Sequence, residues 1–152
     1  MRRTPVLASL AVLLTALALM PAGAHLFALP NKLAMPAETY LAAQRAYDGW
    51  ALLGVLPMAA ILANLGAALA LRRRGRPAGM AWLAALLLLA GLAIFFTWTF
   101  PANQATANWT RLPADWQALR AAWEWSHAAN ALLSFAALCA GLSAASRSDA
   151  GP

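Results

Sequence analysis

Charge is scarce in this chain. Only 11% of its 152 residues are charged, with five acids among them, against 62% hydrophobic, which is too little polar surface to coat a soluble domain. The single cysteine, Cys139, excludes an intramolecular disulfide and any cysteine-based metal cluster. There are two histidines, His25 and His127, and Glu124 with His127 makes the one Glu-x-x-His spacing. The lack of a second such pair counts against a di-iron centre in a helical bundle. No aromatic residue interleaves with the arginines of the 72–76 island, so the stacking platforms of a single-strand nucleic-acid binder are missing. No charge sits deep inside the apolar runs, which counts against an ion pump.

What the chain has in abundance is hydrocarbon. Four runs, about 5–29, 50–71, 78–100 and 116–145, reach the ~20 residues that a helix needs to cross a bilayer. The expectation is an all-α, four-transmembrane-helix bundle forming one membrane domain over 1–152. A short basic loop at 72–77 lies on one side, and loops 30–49 and 101–115 lie on the other. Arg2, Arg3, Arg72, Arg73, Arg74, Arg76 and Arg147 flank one face, while Lys32, Arg45, Arg111 and Arg120 flank the opposite one. Positive charge favours the cytoplasm, so both termini are expected there. The net charge of +6 then belongs to the inner face, whose expected partner is anionic membrane lipid.

Arg2, Arg3, the apolar stretch from Val6 to Met20 and Ala22-Gly23-Ala24 also imitate a cleavable signal peptide. Cleavage after Ala24 would make His25 a new N-terminus able to chelate copper. The apolar character continues to Leu29, however, enough for a helix of ~36 Å, and retention as a span is expected, with a kink at Pro21. The segment 30–49 is expected to lie flat as a cap. Pro36 suits the first position of a short interfacial helix running to about Tyr47, and Tyr40, Tyr47 and Trp50 are types that settle at the membrane boundary. Asn64 reads as an interhelical hydrogen-bonding residue, and Ala59, Ala63, Ala67 and Gly91 read as packing positions.

The chemistry concentrates between Thr97 and Asn130, which holds five of the seven tryptophans. At ~100° per residue, Arg120, Trp123, Glu124, His127, Asn130 and Ser134 fall on one narrow arc of the last helix, and in a bilayer a polar arc turns inward to find partners. Counting ~1.5 Å per residue from the basic face puts His25 and His127 at nearly one depth. Glu124 and Arg120 stand above His127 on successive turns. Trp50, Thr97 and Asn103 join that layer from the second and third spans. Ionisable groups within spans are expected to be functional, whereas a purely structural layer would join Arg120 to Glu124 as an ion pair.

The segments FPANQATANWT, LPADWQALRAAWEWSHAAN and AGAHLFALPNK resemble the small four-helix membrane proteins of the anthrone-oxygenase-like family. Asn103, Asn108-Trp109, Trp116, Leu119-Arg120, Trp123-Glu124 and His127 carry the likeness. The resemblance implies an enzyme of a bacterial inner membrane that adds dioxygen to a hydrophobic, electron-rich aromatic carbon acid without an organic cofactor. On that basis His127, and second His25, would remove the substrate's proton, and Glu124 or Asn103 would orient the imidazole. Arg120 would stabilise the developing enolate. Trp50, Trp116 and Trp123, with Asn108 and Trp109, would wall the substrate. Two other classes stay open. His25 and His127 could be axial ligands of a haem, or with Glu124 could hold a metal ion; alternatively, the layer could belong to a non-enzymatic binder of lipid or a small molecule.

Overall fold

In a computed structural model of the chain, residues 3–149 are described. Arg2 and the side chain of Arg3, both counted above for orientation, lie outside what is described. The elements are α1 (Arg3–Ala34), α2 (Ala37–Gln44), 3-10 turns at Arg45–Tyr47 and Trp50–Gly54, α3 (Val55–Arg73), α4 (Gly79–Ile94), a π turn at Phe95–Thr99, α5 (Phe100–Ala105) and α6 (Trp116–Asp149). The protein is all-α: four long apolar helices packed as a bundle, with the short helix and turn of 37–47 between the first two. Each is long and apolar enough to cross a membrane, over Val6–Ala34, Trp50–Arg73, Gly79–Ala105 and Trp116–Arg147.

α1 and α4 each pack against both α3 and α6, so α1 and α4 stand diagonally across the bundle. Small residues make this possible. Ala60, Ala84, Ala137 and Ala140 meet around Ile61 and Leu88, letting backbones approach where lipid supplies no hydrophobic drive of its own. Outside that seam, Leu13, Phe27, Leu62, Leu86, Leu132 and Phe135 are more than half exposed, as expected of a surface solvated by hydrocarbon. Asn64 donates to Thr15 Oγ1 across the α1–α3 seam at 3.1 Å and to the carbonyl of Ala60 at 2.9 Å. Gly91 makes room for a polar group, because a Cβ there would collide with Asn130 Oδ1. The buried face of α3 carries Ala60, Asn64, Ala67, Ala68 and Leu71 rather than Ala59 and Ala63.

At the cap end two helices run past the expected limits of their spans. α1 continues past Leu29 and through Pro30 to Ala34, because Pro30 removes only one backbone hydrogen bond and the surrounding bundle holds the turn. The third span likewise continues through Pro101 to Ala105, widened beforehand by the π turn. Asn103 therefore stands on a helix, not in a loop. At the opposite end α3 stops at Arg73, and Gly75, with φ 66°, admits the bonds from Gly75 N to Arg72 O and from Arg76 N to Leu71 O, both 3.0 Å, that close a helix C-terminus. Gly49, with φ 82°, turns the cap into α3.

Candidate functional site

α1 supplies two polar side chains to one end of the bundle. His25 and Lys32 are seven residues apart, two turns of one helix face, and both are buried. α6 faces them with Trp123, Glu124 and His127. The imidazoles of His25 and His127 stack with centroids 4.1 Å apart and planes 27° from parallel. Trp123 meets both rings edge-on, at 4.9 Å from His25 and 4.2 Å from His127. The cap closes the layer: Tyr47 lies 4.4 Å and Trp50 5.8 Å from the ring of His25.

Directly above the histidines is a buried ion pair. Lys32 Nζ is 2.8 Å from Glu124 Oε1, with the two side chains 3% and 0% exposed. The same carboxylate oxygen accepts from Tyr40 Oη at 2.9 Å, and Tyr40 Oη accepts in turn from Gln44 Nε2 at 2.8 Å. The ammonium sits over the rings of Trp123 at 4.4 Å and Tyr47 at 4.5 Å, a placement favoured by the negative faces of aromatic rings. In the cap, burial first and then the Glu124 carboxylate push the hydroxyls of Tyr40 and Tyr47 above their ordinary range, since a phenolate there would be desolvated beside a like charge.

Arg120 is engaged elsewhere. Its guanidinium donates to the carbonyl of Met35 at 2.8 Å and stacks on Trp116 at 4.6 Å and Tyr40 at 5.4 Å. The Arg120–Glu124 pair that a structural layer was expected to contain is thus replaced by Lys32–Glu124. Asn103 Oδ1 accepts from Trp123 Nε1 at 2.8 Å and Trp109 Nε1 at 3.2 Å, so it orients two indoles and not an imidazole. Trp109 is buried against Tyr40 and Trp123 as part of the cap's own core, while Asn108 is exposed and offers its carbonyl to Arg45 Nη2 at 2.8 Å. Ala107, Asn108 and Trp109 all adopt positive φ, at 49°, 56° and 61°. Held beneath them are the Thr106 hydroxyl, which accepts from Trp109 N at 3.1 Å, and Asn103.

His25, Trp50, Trp123, Glu124 and His127 therefore gather in one layer, with Asn103, Trp109, Trp116 and Arg120 supporting it from outside and Asn108 at the surface. Lys32, Tyr40, Gln44 and Tyr47 complete the layer without having been singled out as site residues. For Lys32 a signal existed, its two-turn spacing from His25 on a helix that does not stop at Pro30. The haem and metal alternatives do not fit this arrangement. Two axial imidazoles must approach a porphyrin edge-on from opposite faces, and rings stacked face to face leave no gap for one. Among the described residues no three histidine, cysteine, aspartate or glutamate side chains gather as a metal site, and the Glu124 carboxylate is held instead by Lys32 and Tyr40.

A groove of about 330 Å³ opens on the apolar flank between α1 and the start of α3, lined by Leu17, Met20, Pro21, Trp50, Leu53 and Leu56. Its lining includes Trp50, the ring that meets His25 edge-on. Four buried polar atoms in or beside the layer have no hydrogen-bond partner, His25 Nδ1, Gln44 Oε1, Arg120 Nε and Glu124 Oε2, and Lys32 Nζ has the Glu124 oxygen alone as its acceptor. Compared with protein-family models, with curated proteins and with solved structures, the chain matches none.

Proposed function

We propose that this is an integral membrane enzyme that oxidises a hydrophobic aromatic carbon acid with dioxygen, as the resemblance to anthrone-oxygenase-like proteins implies. Both termini and the 72–77 loop then face the cytoplasm and the aromatic layer faces the other side. The observation that carries this reading is the Nδ1 of His25, a buried imidazole nitrogen with no partner, walled by aromatic rings of which one, Trp50, also lines an apolar groove. An imidazole nitrogen with no hydrogen bond is free to face the C–H bond of a substrate placed against it. This moves the role of base from His127 to His25, with His127 holding the acceptor ring in place by stacking.

The chemistry asks little more of the protein. Once the substrate's C–H bond breaks and its proton goes to Nδ1, the delocalised carbanion passes an electron to dioxygen. Oxidation of a methylene to a carbonyl by one O2 releases one water, so the atoms balance without an external reductant. Trp50 and Trp123 would hold a flat substrate against the base and exclude water.

A second reading, a non-enzymatic binder of a lipid chain or small apolar molecule, is favoured by the groove alone. Oxygen uptake by the purified, detergent-solubilised protein with anthrone as substrate separates the two. An oxygenase consumes O2 in proportion to anthrone and loses that activity in His25→Gln at an unchanged thermal midpoint. Saturable binding of anthrone with no uptake above the uncatalysed rate sinks the enzyme reading.

A further inference from the structure

We propose that Lys32 is the residue that holds the charged oxygen of the ionised substrate, so that the site takes aromatic ketones or phenols whose conjugate base carries its charge on oxygen. This rests on the carbon-acid reading of the layer. Arg120, the cation expected from sequence for that task, is already committed to the Met35 carbonyl and to two aromatic faces. Lys32 is the cation inside the layer.

An ammonium has three N–H donors. The partner Lys32 meets is one oxygen of Glu124, which Tyr40 also uses, so that contact engages one of its three donors. Donors are thus left over in a place 2% exposed, where an unused charged donor is costly and is normally explained by a ligand or a mechanism. The rings over which Nζ sits, Tyr47 and Trp123, are the same rings that pack on His25. His25 and Lys32 thus share the same two aromatic neighbours, which brings an unpaired imidazole nitrogen and a cation to one pair of rings. The unpaired Oε2 of Glu124 suits a hydroxyl next to the charged oxygen.

The step balances. The substrate's C–H bond breaks, an N–H bond forms at His25 Nδ1, the electron pair moves through the ring system to oxygen, and that oxygen accepts an N–H from Lys32. One anion and one cation appear together, and no oxidant takes part. Because ionisation precedes reaction with dioxygen, it is observable without it.

Anthrone is added to the solubilised protein under strict anaerobiosis, and the visible band of its enolate is followed at neutral pH. The wild type develops the band, Lys32→Met lowers the bound enolate about a hundredfold, as for the loss of one charge-stabilising donor, and Lys32→Arg restores part of it. Lys32→Met combined with Glu124→Gln removes both charges and guards against loss of fold; it keeps a cooperative thermal transition and still shows no band. A wild-type band in either methionine variant overturns the proposal, as does no band in the wild type. Oxygen uptake in air is scored separately. An enolate band without uptake sinks the oxygenase reading and leaves the anion site standing, whereas uptake and band both unchanged in Lys32→Met do the reverse.

Discussion

The imidazoles of His25 and His127 lie face to face, with ring centroids 4.1 Å apart and planes inclined by 27°. They come from different helices, α1 and α6, and the stack is the closest aromatic contact between those helices in the polar layer.

Stacking depends on ring shape, so His127→Phe keeps the packing of the layer. Its thermal midpoint stays within a few degrees of wild type, and oxygen uptake with anthrone falls less than tenfold. His25→Phe removes the unpaired nitrogen itself and lowers uptake at least a hundredfold, the contribution of a positioned base. Equal losses in the two variants would show that the pair acts as one base and that His25 has no special place.

The buried ion pair makes a prediction about stability. Lys32→Met leaves the Glu124 carboxylate without its cation in a place 0% exposed, which costs about 3–5 kcal/mol. Adding Glu124→Gln recovers a large part of that loss, because two neutral groups replace two desolvated charges. Thermal or detergent-denaturant unfolding of the two single variants and the double variant measures the coupling. Additive losses would mean that the 2.8 Å contact is energetically idle.

How much of this was readable beforehand follows from the residues. The four spans and the inward arc of Trp123, Glu124 and His127 are periodic features, and periodicity survives translation into structure. Counting helical rise from the basic end places His25 and His127 at one level, and their rings touch. Lys32 was hidden by Pro30, which reads as a helix stop but sits inside α1; once the helix is carried through, Lys32 follows from His25 by spacing alone. Tyr40 was hidden by something local pattern does not encode. As an interfacial tyrosine it should be wet, yet the cap folds inward and buries it fully against Glu124, Trp109 and Trp116. Where a short helix docks depends on the partner groups it finds, here a carboxylate far along the chain.

That docking is testable by pH. The two tyrosines of the chain both have hydroxyls pushed above the ordinary tyrosine range, chiefly by burial and secondarily by Glu124. A raised acid is neutral in the folded protein where it would already ionise in the unfolded one. The stability it contributes is therefore complete below pH ~10 and is lost as pH climbs towards the folded-state value. Ultraviolet titration should show almost no tyrosinate in the folded protein at pH 10, and thermal stability should drop steadily above it. Tyr40→Phe flattens that alkaline drop. Half-formed tyrosinate at pH 10 without unfolding would contradict the inward-folded cap.

The groove on the lipid flank supplies the last prediction. Of its lining residues Met20 is 69% exposed and Leu53 37%, while Trp50 also packs on His25. If an apolar substrate reaches the layer from the bilayer by this route, Met20→Trp fills part of the 330 Å³ space without touching the base or the ion pair. Binding then weakens in ground state and transition state alike, which raises KM and leaves kcat in place. The expected change is about tenfold in KM for anthrone, with a thermal midpoint close to wild type because the position faces hydrocarbon either way. Leu62→Trp is the control, since Leu62 is 68% exposed on α3 and does not line the groove. A KM unchanged in Met20→Trp would mean that substrate arrives through the cap, and Trp50 would then be a wall of the layer with no part in access. A loss of kcat at constant KM would instead mean that the groove wall positions His25, one helical turn above Pro21, and that α1 transmits the change directly to the base.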